Sequence, residues 1–257
     1  MSDFLDIVVE SVRETIKEGY YDVPPASYER RSLKGALQSR SRNPVVAEVK
    51  PASPSKGVIR KELAIEDAVS SMQRGGAAGI SVLTEQKYFH GSLDNLTRIR
   101  KTTSLPLLMK DFFIDPAQID AAAKKGADAV LLIQALFDRG YCASTLQGMI
   151  EAAQFHGLEV LLEAPTEEEF RKAVSAPADL LGINNRDLAT LDVDLHVTER
   201  ILEELRPPNR LVVSESGIES PTHIRFLRNA GAHAFLVGSA VMSAANIEEK
   251  VRELVEA

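Results

Sequence analysis

The feature that most constrains this chain is a series of eight short apolar segments that alternate with longer amphipathic stretches after residue 43. The segments are rich in Val, Ile and Leu without strict polar alternation, which is typical of parallel strands covered on both faces. They lie at residues 45–47, 79–83, 106–109, 129–133, 160–162, 180–183, 211–213 and 234–237. Eight β-then-α units without a long interruption predict an α/β fold, a single (β/α)8 TIM barrel.

Length and local signals agree with one closed barrel. The chain has 257 residues, and one such barrel typically needs about 250. An open dinucleotide-binding sheet would need G-x-G-x-x-G after its first strand, and the sequence has none there. Asp115-Pro116 predicts the start of one helix and Gly126 its end, and the last helix is predicted at 247–256.

The first 42 residues differ from the rest of the chain. Residues 4–18 predict an amphipathic helix, because apolar residues recur along one stripe. That stripe consists of Leu5, Val8, Val12 and Ile16. Pro24-Pro25 and a basic, polar stretch through Arg42 then break the pattern. We therefore divide the chain into an N-terminal helical extension, residues 1–42, packed on a barrel formed by residues 43–257.

Composition excludes several classes of function. The formal net charge is −7 with no dense basic run, which disfavours nucleic-acid binding but allows a phosphorylated small molecule held in a local pocket. Cys142 is the only cysteine, and no signal peptide or apolar run of about 20 residues is visible, so we expect a cytoplasmic protein without a membrane partner. The five histidines show no ligand spacing, so no metal site is predicted.

Six polar residues stand where apolar strands should end. They are Glu48, Lys50, Lys110, Glu163, Asn184 and Glu215. In a (β/α)8 barrel the carboxyl ends of all strands surround one mouth, where active sites lie. Charged groups at strand ends can also be solvated or paired at the rim, but burying several of them costs several kcal/mol each unless they are paired. Two lysines and three carboxylates around one cavity indicate acid–base chemistry.

The last two strands carry a second signal. Strand seven continues into Ser216-Gly217 and strand eight into Gly238-Ser239. Small residues there let backbone N–H groups converge on an anion, which is the common phosphate site of these barrels. The alternative is a pair of ordinary tight turns that need glycine.

Together these motifs resemble the indole-3-glycerol-phosphate synthase family of tryptophan biosynthesis, in the right order from about residue 43 to 243. The matching segments are Glu48–Gly57, Ser81–Phe89, Leu108–Phe112, Gly182–Leu188 and Ser214–Ile218. Two departures stand out: Glu-Val-Lys-Pro in place of Glu-Tyr-Lys-Arg at strand one, and Ala164-Pro165-Thr166 after Glu163. Neither removes a group to which the family assigns a catalytic role, although Pro51 fixes one backbone angle.

The resemblance implies a carboxy-lyase that converts 1-(o-carboxyphenylamino)-1-deoxyribulose 5-phosphate to indole-3-glycerol phosphate without a cofactor. It implies that Lys110 is the general acid for ring closure and that Lys50 pairs with the anthranilate carboxylate or acts as a second acid. Glu163 would be the base for dehydration, Glu48 would hold a lysine or a substrate hydroxyl, and Asn184 would orient the substrate.

The resemblance also implies the substrate-binding residues. Glu215 would line the site, and Ser53, Ser216, Gly217, Gly238 and Ser239 would hold the phosphate. Phe89, Phe112, Leu131, Arg186 and Leu188 would surround the aromatic ring. A monomer is expected, with a dimer as the alternative.

Three rival interpretations stay open from the residues. Lys110 could form a Schiff base in an aldolase-like enzyme. A phosphoribosylanthranilate isomerase would need a cysteine or similar base at the first strand, where this chain has Glu48 and Lys50. A non-catalytic barrel that binds a phosphate ligand would not need both lysines and Glu163.

Overall fold

The computed structural model describes residues 3–39, 42–50, 52–53, 57–58 and 64–257, and for residues 52, 53 and 58 the backbone alone. Eight parallel strands form a closed barrel in which each pairs with the next along the chain and the last pairs with the first, so the predicted fold is confirmed. The strands are β1 Val45–Val49, β2 Gly79–Leu83, β3 Leu107–Lys110, β4 Ala129–Ile133, β5 Glu159–Glu163, β6 Leu180–Asn184, β7 Val212–Glu215 and β8 Ala234–Val237.

Helices follow the strands, and a short antiparallel hairpin of Ala52–Ser53 and Gly57–Val58 follows β1. The helices are Phe4–Lys17, Leu33–Gln38, Ile65–Arg74, Leu93–Thr102, Pro116–Lys125, Gln134–Asp138, Leu146–Phe155, Glu167–Ser175, His196–Glu204, Pro221–Ala230, Ser239–Ser243 and Ile247–Val255. Asp115 caps its helix and Gly126 ends it at φ +91°, as predicted. None of the described helices is long and apolar enough to cross a membrane.

Strand alternation decides which side chains enter the barrel. Val45, Ala47 and Val49 of β1 belong to the apolar cluster that includes the surrounding helices, whereas Val46 belongs to a second cluster with inward residues of the other strands. Since successive side chains of a strand point to opposite faces, Glu48 and Lys50 continue the inner face that Val46 begins. The polar residues that end the other strands follow the same rule.

The first helix, Phe4–Lys17, packs its apolar stripe against the inner cluster. Leu5, Val8 and Val12 are buried there, while Ile16 is only partly buried. The turn beside Ile16 is instead completed by Thr15, whose hydroxyl donates to the Ser11 carbonyl at 2.9 Å. Ile16, at the end of the predicted stripe, still packs against both apolar clusters.

A second helix, Leu33–Gln38, was not predicted and lies at the amino ends of the strands. A Cβ on Gly79, the first residue of β2, would lie 2.7 Å from the Leu33 side chain. The Lys34 amide donates to the Glu159 carboxylate at 2.8 Å, and the Arg31 amide donates to Asp128 at 2.9 Å. These residues therefore contact the amino ends of the strands, and Tyr21 contacts Asp111 at the carboxyl ends. The division of the chain into an extension and a barrel at 42/43 stays a prediction.

Candidate active site

The polar residues predicted at the strand ends lie together at the carboxyl end of the barrel. Glu48, Glu163, Asn184 and Glu215 are each 4 % exposed or less. Burying carboxylates is costly unless cations or donors compensate them. The cations and hydrogen-bond donors around these carboxylates therefore determine the chemistry that is open to the site.

Lys110 lies among three carboxylates. Its Nζ atom is 2.8 Å from Oε2 of Glu215 and 3.8 Å from carboxylate oxygens of both Glu48 and Glu163. Burial opposes its charge, but the three carboxylates outweigh burial and raise the pKa of Lys110 above its ordinary value. Lys110 is thus held as an ammonium in the middle of the mouth.

Lys50 has a different electrostatic environment. Its Nζ atom lies 3.4 Å from Oε1 of Glu48 and 5.6 Å from the centre of the Phe89 ring, over its face. Burial lowers the pKa of Lys50, and the charges of Lys110 and Arg186 add to that effect although Glu48 opposes it. Lys50 therefore gives up its proton more readily than an ordinary lysine, which makes the two lysines chemically distinct.

Glu48 is shared between the lysines. Burial would raise its pKa, but Lys50 and Lys110, with a hydrogen bond from the Ser81 hydroxyl at 3.3 Å, hold the pKa of Glu48 below its ordinary value. Burial and the neighbouring carboxylates raise the pKa of Glu215, although Lys110 opposes them. Oε1 of Glu215 is buried and makes no hydrogen bond with the described atoms.

Asn184 connects Glu163 to the next loop. Its Nδ2 donates to Oε1 of Glu163 at 2.9 Å, and its Oδ1 accepts from the Arg186 amide at 2.9 Å. The Arg186 guanidinium in turn donates to the Leu191 carbonyl at 2.5 Å. The amide therefore fixes the orientation of the Glu163 carboxylate.

Two glycines make room for these carboxylates. A Cβ on Gly182 in β6 would lie 2.5 Å from Oε1 of Glu215. A Cβ on Gly238 would meet Oε1 of Glu48 closer than real side chains approach. Gly238, which is predicted to hold the phosphate, is thus required by the packing of Glu48.

Two adjoining cavities open at the mouth and share Lys50, Lys110, Arg186 and Ser216. The larger, about 480 Å³, is lined elsewhere by Glu48, Gly217, His223, Gly238 and Ser239 among others. The smaller, about 70 Å³, is lined by apolar side chains that include Phe89, Phe112, Leu131 and Leu188, with Glu163 and Asn184 beside them. One end is therefore polar and the other suits an aromatic ring.

The loop after β7 has an unusual backbone. Ser216 and Gly217 have φ angles of +67° and +77°, a region that side-chain-bearing residues such as Ser216 seldom adopt. A Cβ on Gly217 would also lie 2.5 Å from the Val193 side chain. Such a turn requires glycine at 217 and brings the loop to the cavity wall.

Ser53, predicted as a phosphate ligand, lies in the hairpin after β1, and its side chain is outside the part of the chain that the structure describes. All of the other predicted residues except Glu215 line one cavity or both. Glu215 lines neither cavity; it is fully buried and contacts the Lys110 ammonium instead. The individual roles of the predicted residues stay predictions.

Sequence reasoning missed residues that support the site. Glu85, 3 % exposed, accepts hydrogen bonds from the backbone amides of Lys87, Tyr88 and Phe89 and so fixes the Phe89 loop. Glu85 lies inside the matching segment after strand two, but a glutamate that binds its own loop has no signal of its own in the sequence.

Asp111 was also missed as a supporting residue. It follows Lys110, is fully buried, and accepts hydrogen bonds from Thr84, the Phe112 amide and the Tyr21 hydroxyl, the last at 3.0 Å. Burial raises the pKa of Asp111 to about 6, although these donors oppose the shift. Tyr21 belongs to the N-terminal segment, so no local pattern could reveal this contact.

Comparison with known sequences shows the family. The family model for indole-3-glycerol phosphate synthase matches residues 6–254. The indole-3-glycerol phosphate synthase of Carboxydothermus hydrogenoformans is 40 % identical over 94 % of this chain and 95 % of its own, and that of Koribacter versatilis is 38 % identical over 99 % and 100 %.

Solved structures support the fold alone. Thiamine phosphate pyrophosphorylase from Pyrococcus furiosus superposes with a TM-score of 0.61 at 20 % identity, over 87 % of this chain and 96 % of that one. N-acetylmannosamine-6-phosphate 2-epimerase from Clostridium perfringens gives 0.61 at 15 % identity, over 84 % and 93 %. The motifs, the mouth of the barrel and the sequence relatives agree, and the chain belongs to the indole-3-glycerol phosphate synthase family.

Proposed function

We propose that the chain converts 1-(o-carboxyphenylamino)-1-deoxyribulose 5-phosphate to indole-3-glycerol phosphate, with loss of carbon dioxide and water. The observation that carries this proposal is the Lys110 ammonium, which lies among Glu48, Glu163 and Glu215 between an apolar and a polar cavity. Family membership supplies the reaction, and the site supplies groups suited to each of its proton transfers.

Each cavity would bind one half of the substrate. The aromatic ring would occupy the smaller one, between Phe89, Phe112, Leu131 and Leu188, with Arg186 at its edge. The phosphate would occupy the polar end of the larger one, where Ser216, Gly217, Gly238 and Ser239 lie. Ser53 is proposed as a further phosphate ligand. The ketone of the connecting chain then lies near the lysines, in the part that the cavities share.

Ring closure forms a bond between the aromatic carbon that carries the carboxylate and the ketone carbon. Electrons of the carbonyl move to its oxygen, which takes a proton from the Lys110 ammonium. Lys50 would meanwhile pair with the carboxylate of the anthranilate ring, since it lies over Phe89 at the aromatic end. Glu48 holds both ammonium groups.

Decarboxylation and dehydration then restore aromaticity. The carbon–carboxylate bond breaks, carbon dioxide leaves, and its electron pair returns to the ring. The hydroxyl formed from the ketone leaves as water after protonation by a lysine, and Glu163 removes the proton from the adjacent carbon. Lys50 suits this second acid role because its lowered pKa favours proton donation. Asn184 would orient the substrate and the Glu163 base.

These steps require acids and bases from the protein and no external oxidant or reductant, so we propose a reaction without a cofactor. The rival Schiff-base chemistry needs a neutral amine at Lys110, whereas three carboxylates favour its charged form. We further propose that the protein acts in the cytoplasm as a monomer, with a dimer as the alternative that light scattering would reveal.

The test is the appearance of indole fluorescence when purified protein is mixed with the substrate. Turnover of the 5-phosphate with release of one carbon dioxide per indole supports the proposal. Binding without turnover would support a non-catalytic phosphate-binding barrel, and a borohydride-trapped adduct at Lys110 would support the aldolase-like alternative.

A further inference from the structure

His223 lies at the polar end of the larger cavity. It is the third residue of the helix Pro221–Ala230, which follows β7, and it lines the cavity together with Ser216, Gly217, Gly238 and Ser239. Lys50, Lys110 and Arg186 line both cavities, whereas His223 lines the larger one alone. It therefore lies in the cavity where the phosphate is expected.

The loop after β7 fixes the orientation of the imidazole. The Glu219 amide donates to Nδ1 at 3.2 Å, and Nδ1 also lies 3.2 Å from the Gly217 carbonyl oxygen. Because Nδ1 accepts from Glu219, the proton of the neutral ring resides on Nε2. Nε2–H is then a hydrogen-bond donor.

We propose that His223 is a phosphate-binding residue whose Nε2–H donates to the phosphate of the substrate. The inference rests on the proposed function, and adds a side-chain donor to the backbone site formed by the glycine loops. Since Nδ1 contacts the loop, Nε2 is the ring nitrogen left for a ligand.

Charge favours such a donor at this end. A phosphate monoester carries between one and two negative charges near pH 7, and the Glu219 carboxylate lines the same cavity and opposes an anion there. A hydrogen bond from Nε2–H to the phosphate offsets this repulsion. The positive-φ turn at Ser216 and Gly217 brings the loop and the imidazole to the same wall.

The test uses His223→Leu, which removes the donor, and His223→Gln, which retains an amide donor. His233→Leu is the matched control, because Nδ1 of His233 accepts a hydrogen bond from the Val212 amide at the same distance, 3.2 Å, at the amino end of the barrel. Binding of inorganic phosphate is measured by calorimetry, KM and kcat by indole fluorescence, and folding by circular dichroism.

We expect His223→Leu to weaken phosphate binding and raise KM by about ten-fold or more, the size of one charge-assisted hydrogen bond, with kcat changed less than two-fold. His223→Gln should recover part of the loss, and His233→Leu should leave both constants within two-fold. If folded His223→Leu, or folded His223→Ala where His223→Leu does not fold, binds phosphate as wild type does, or if His233→Leu loses as much, the assignment is wrong.

Calorimetry separates this inference from the proposed function. If the wild-type protein binds phosphate through His223 but forms no indole, the proposed reaction fails while the assignment of His223 stands. If the wild-type protein forms indole and the His223 variants keep the wild-type KM and phosphate affinity, the assignment of His223 fails while the proposed reaction stands.

Discussion

Lys110 reaches across the barrel to Glu215: its Nζ atom lies 2.8 Å from Oε2, although β3 and β7 lie four strands apart. Glu215 is fully buried, and its other oxygen has no hydrogen bond from the described atoms. Since the remaining carboxylates are 3.8 Å from Nζ, Glu215 is the group that fixes where the ammonium sits. The position of the proposed acid thus depends on the side chain that supports it from the opposite wall.

Gly182→Ala tests this dependence. The added Cβ would lie 2.5 Å from Oε1 of Glu215 and must displace the carboxylate. We expect kcat to fall by about 10²-fold, because shifts near 1 Å in catalytic geometry cost that much. Gly148→Ala is the control: its Cβ would lie 2.5 Å from the Ser144 hydroxyl, in the first turn of the helix Leu146–Phe155, and Gly148 lines neither cavity, so kcat should stay within two-fold. Wild-type kcat in folded Gly182→Ala would contradict the account.

Glu48→Gln tests the electrostatic difference between the lysines. The Glu48 carboxylate opposes the effect of burial on Lys50, so its removal should lower the pKa of Lys50 further. The alkaline limb of the pH profile of kcat/KM should therefore move to lower pH. Glu14→Gln, which breaks the exposed pair with Lys87, should leave the profile in place. If the alkaline limb of Glu48→Gln stays at the wild-type pH or moves to higher pH, the pKa of Lys50 does not determine that limb.

Tyr21→Phe tests the contact between the N-terminal segment and the residue beside Lys110. The Tyr21 hydroxyl donates to Asp111, and this bond favours the ionised carboxylate. The folded pKa of Asp111 is raised to about 6 from 3.8, so the stability that its protonated form contributes is present below pH 4 and lost as pH rises through 6. The hydrogen bond from Tyr21 offsets part of this loss of stability, but only at pH values at which Asp111 is ionised.

Unfolding in urea at pH 5 and pH 8 measures this difference. Tyr21→Phe should cost about 1.5–3 kcal/mol at pH 8, as for a hydrogen bond to a charged group, and less at pH 5. Tyr20→Phe is the control, because the Tyr20 hydroxyl donates to the uncharged Thr84 carbonyl and accepts from the Leu93 amide, so its cost should be equal at both pH values. An equal cost for Tyr21→Phe would show that Asp111 keeps its charge state between them.

The sequence predicted the barrel and the polar mouth because both follow from short-range rules. The β-then-α repeat places all strand ends together, and period-two alternation turns Glu48, Lys110 and Glu163 inward once Val46, Leu108 and Leu161 are inside. The N-terminal helix was predicted for the same reason. These features needed no knowledge of which strands face each other.

What was missed depends on closure of the barrel or on distant segments. The Lys110–Glu215 pair forms only when β3 and β7 face each other, and the Tyr21–Asp111 bond joins residues 90 positions apart. The helix Leu33–Gln38 is short and has two buried residues, so its apolar period is too brief to detect. The need for a glycine at 238 to leave space for the Glu48 carboxylate is likewise visible only in the folded structure.

The most direct test of the central claim is kcat for Lys110→Met, read by indole fluorescence beside calorimetric binding of inorganic phosphate. The substitution keeps an unbranched side chain and removes the ammonium, so kcat should fall by about 10²–10⁴-fold, the usual contribution of a general acid, while phosphate affinity stays within two-fold. Lys87→Met, at an exposed pair, should leave both unchanged. A folded Lys110→Met protein with kcat within ten-fold of wild type would contradict the assignment of Lys110 as the acid for ring closure.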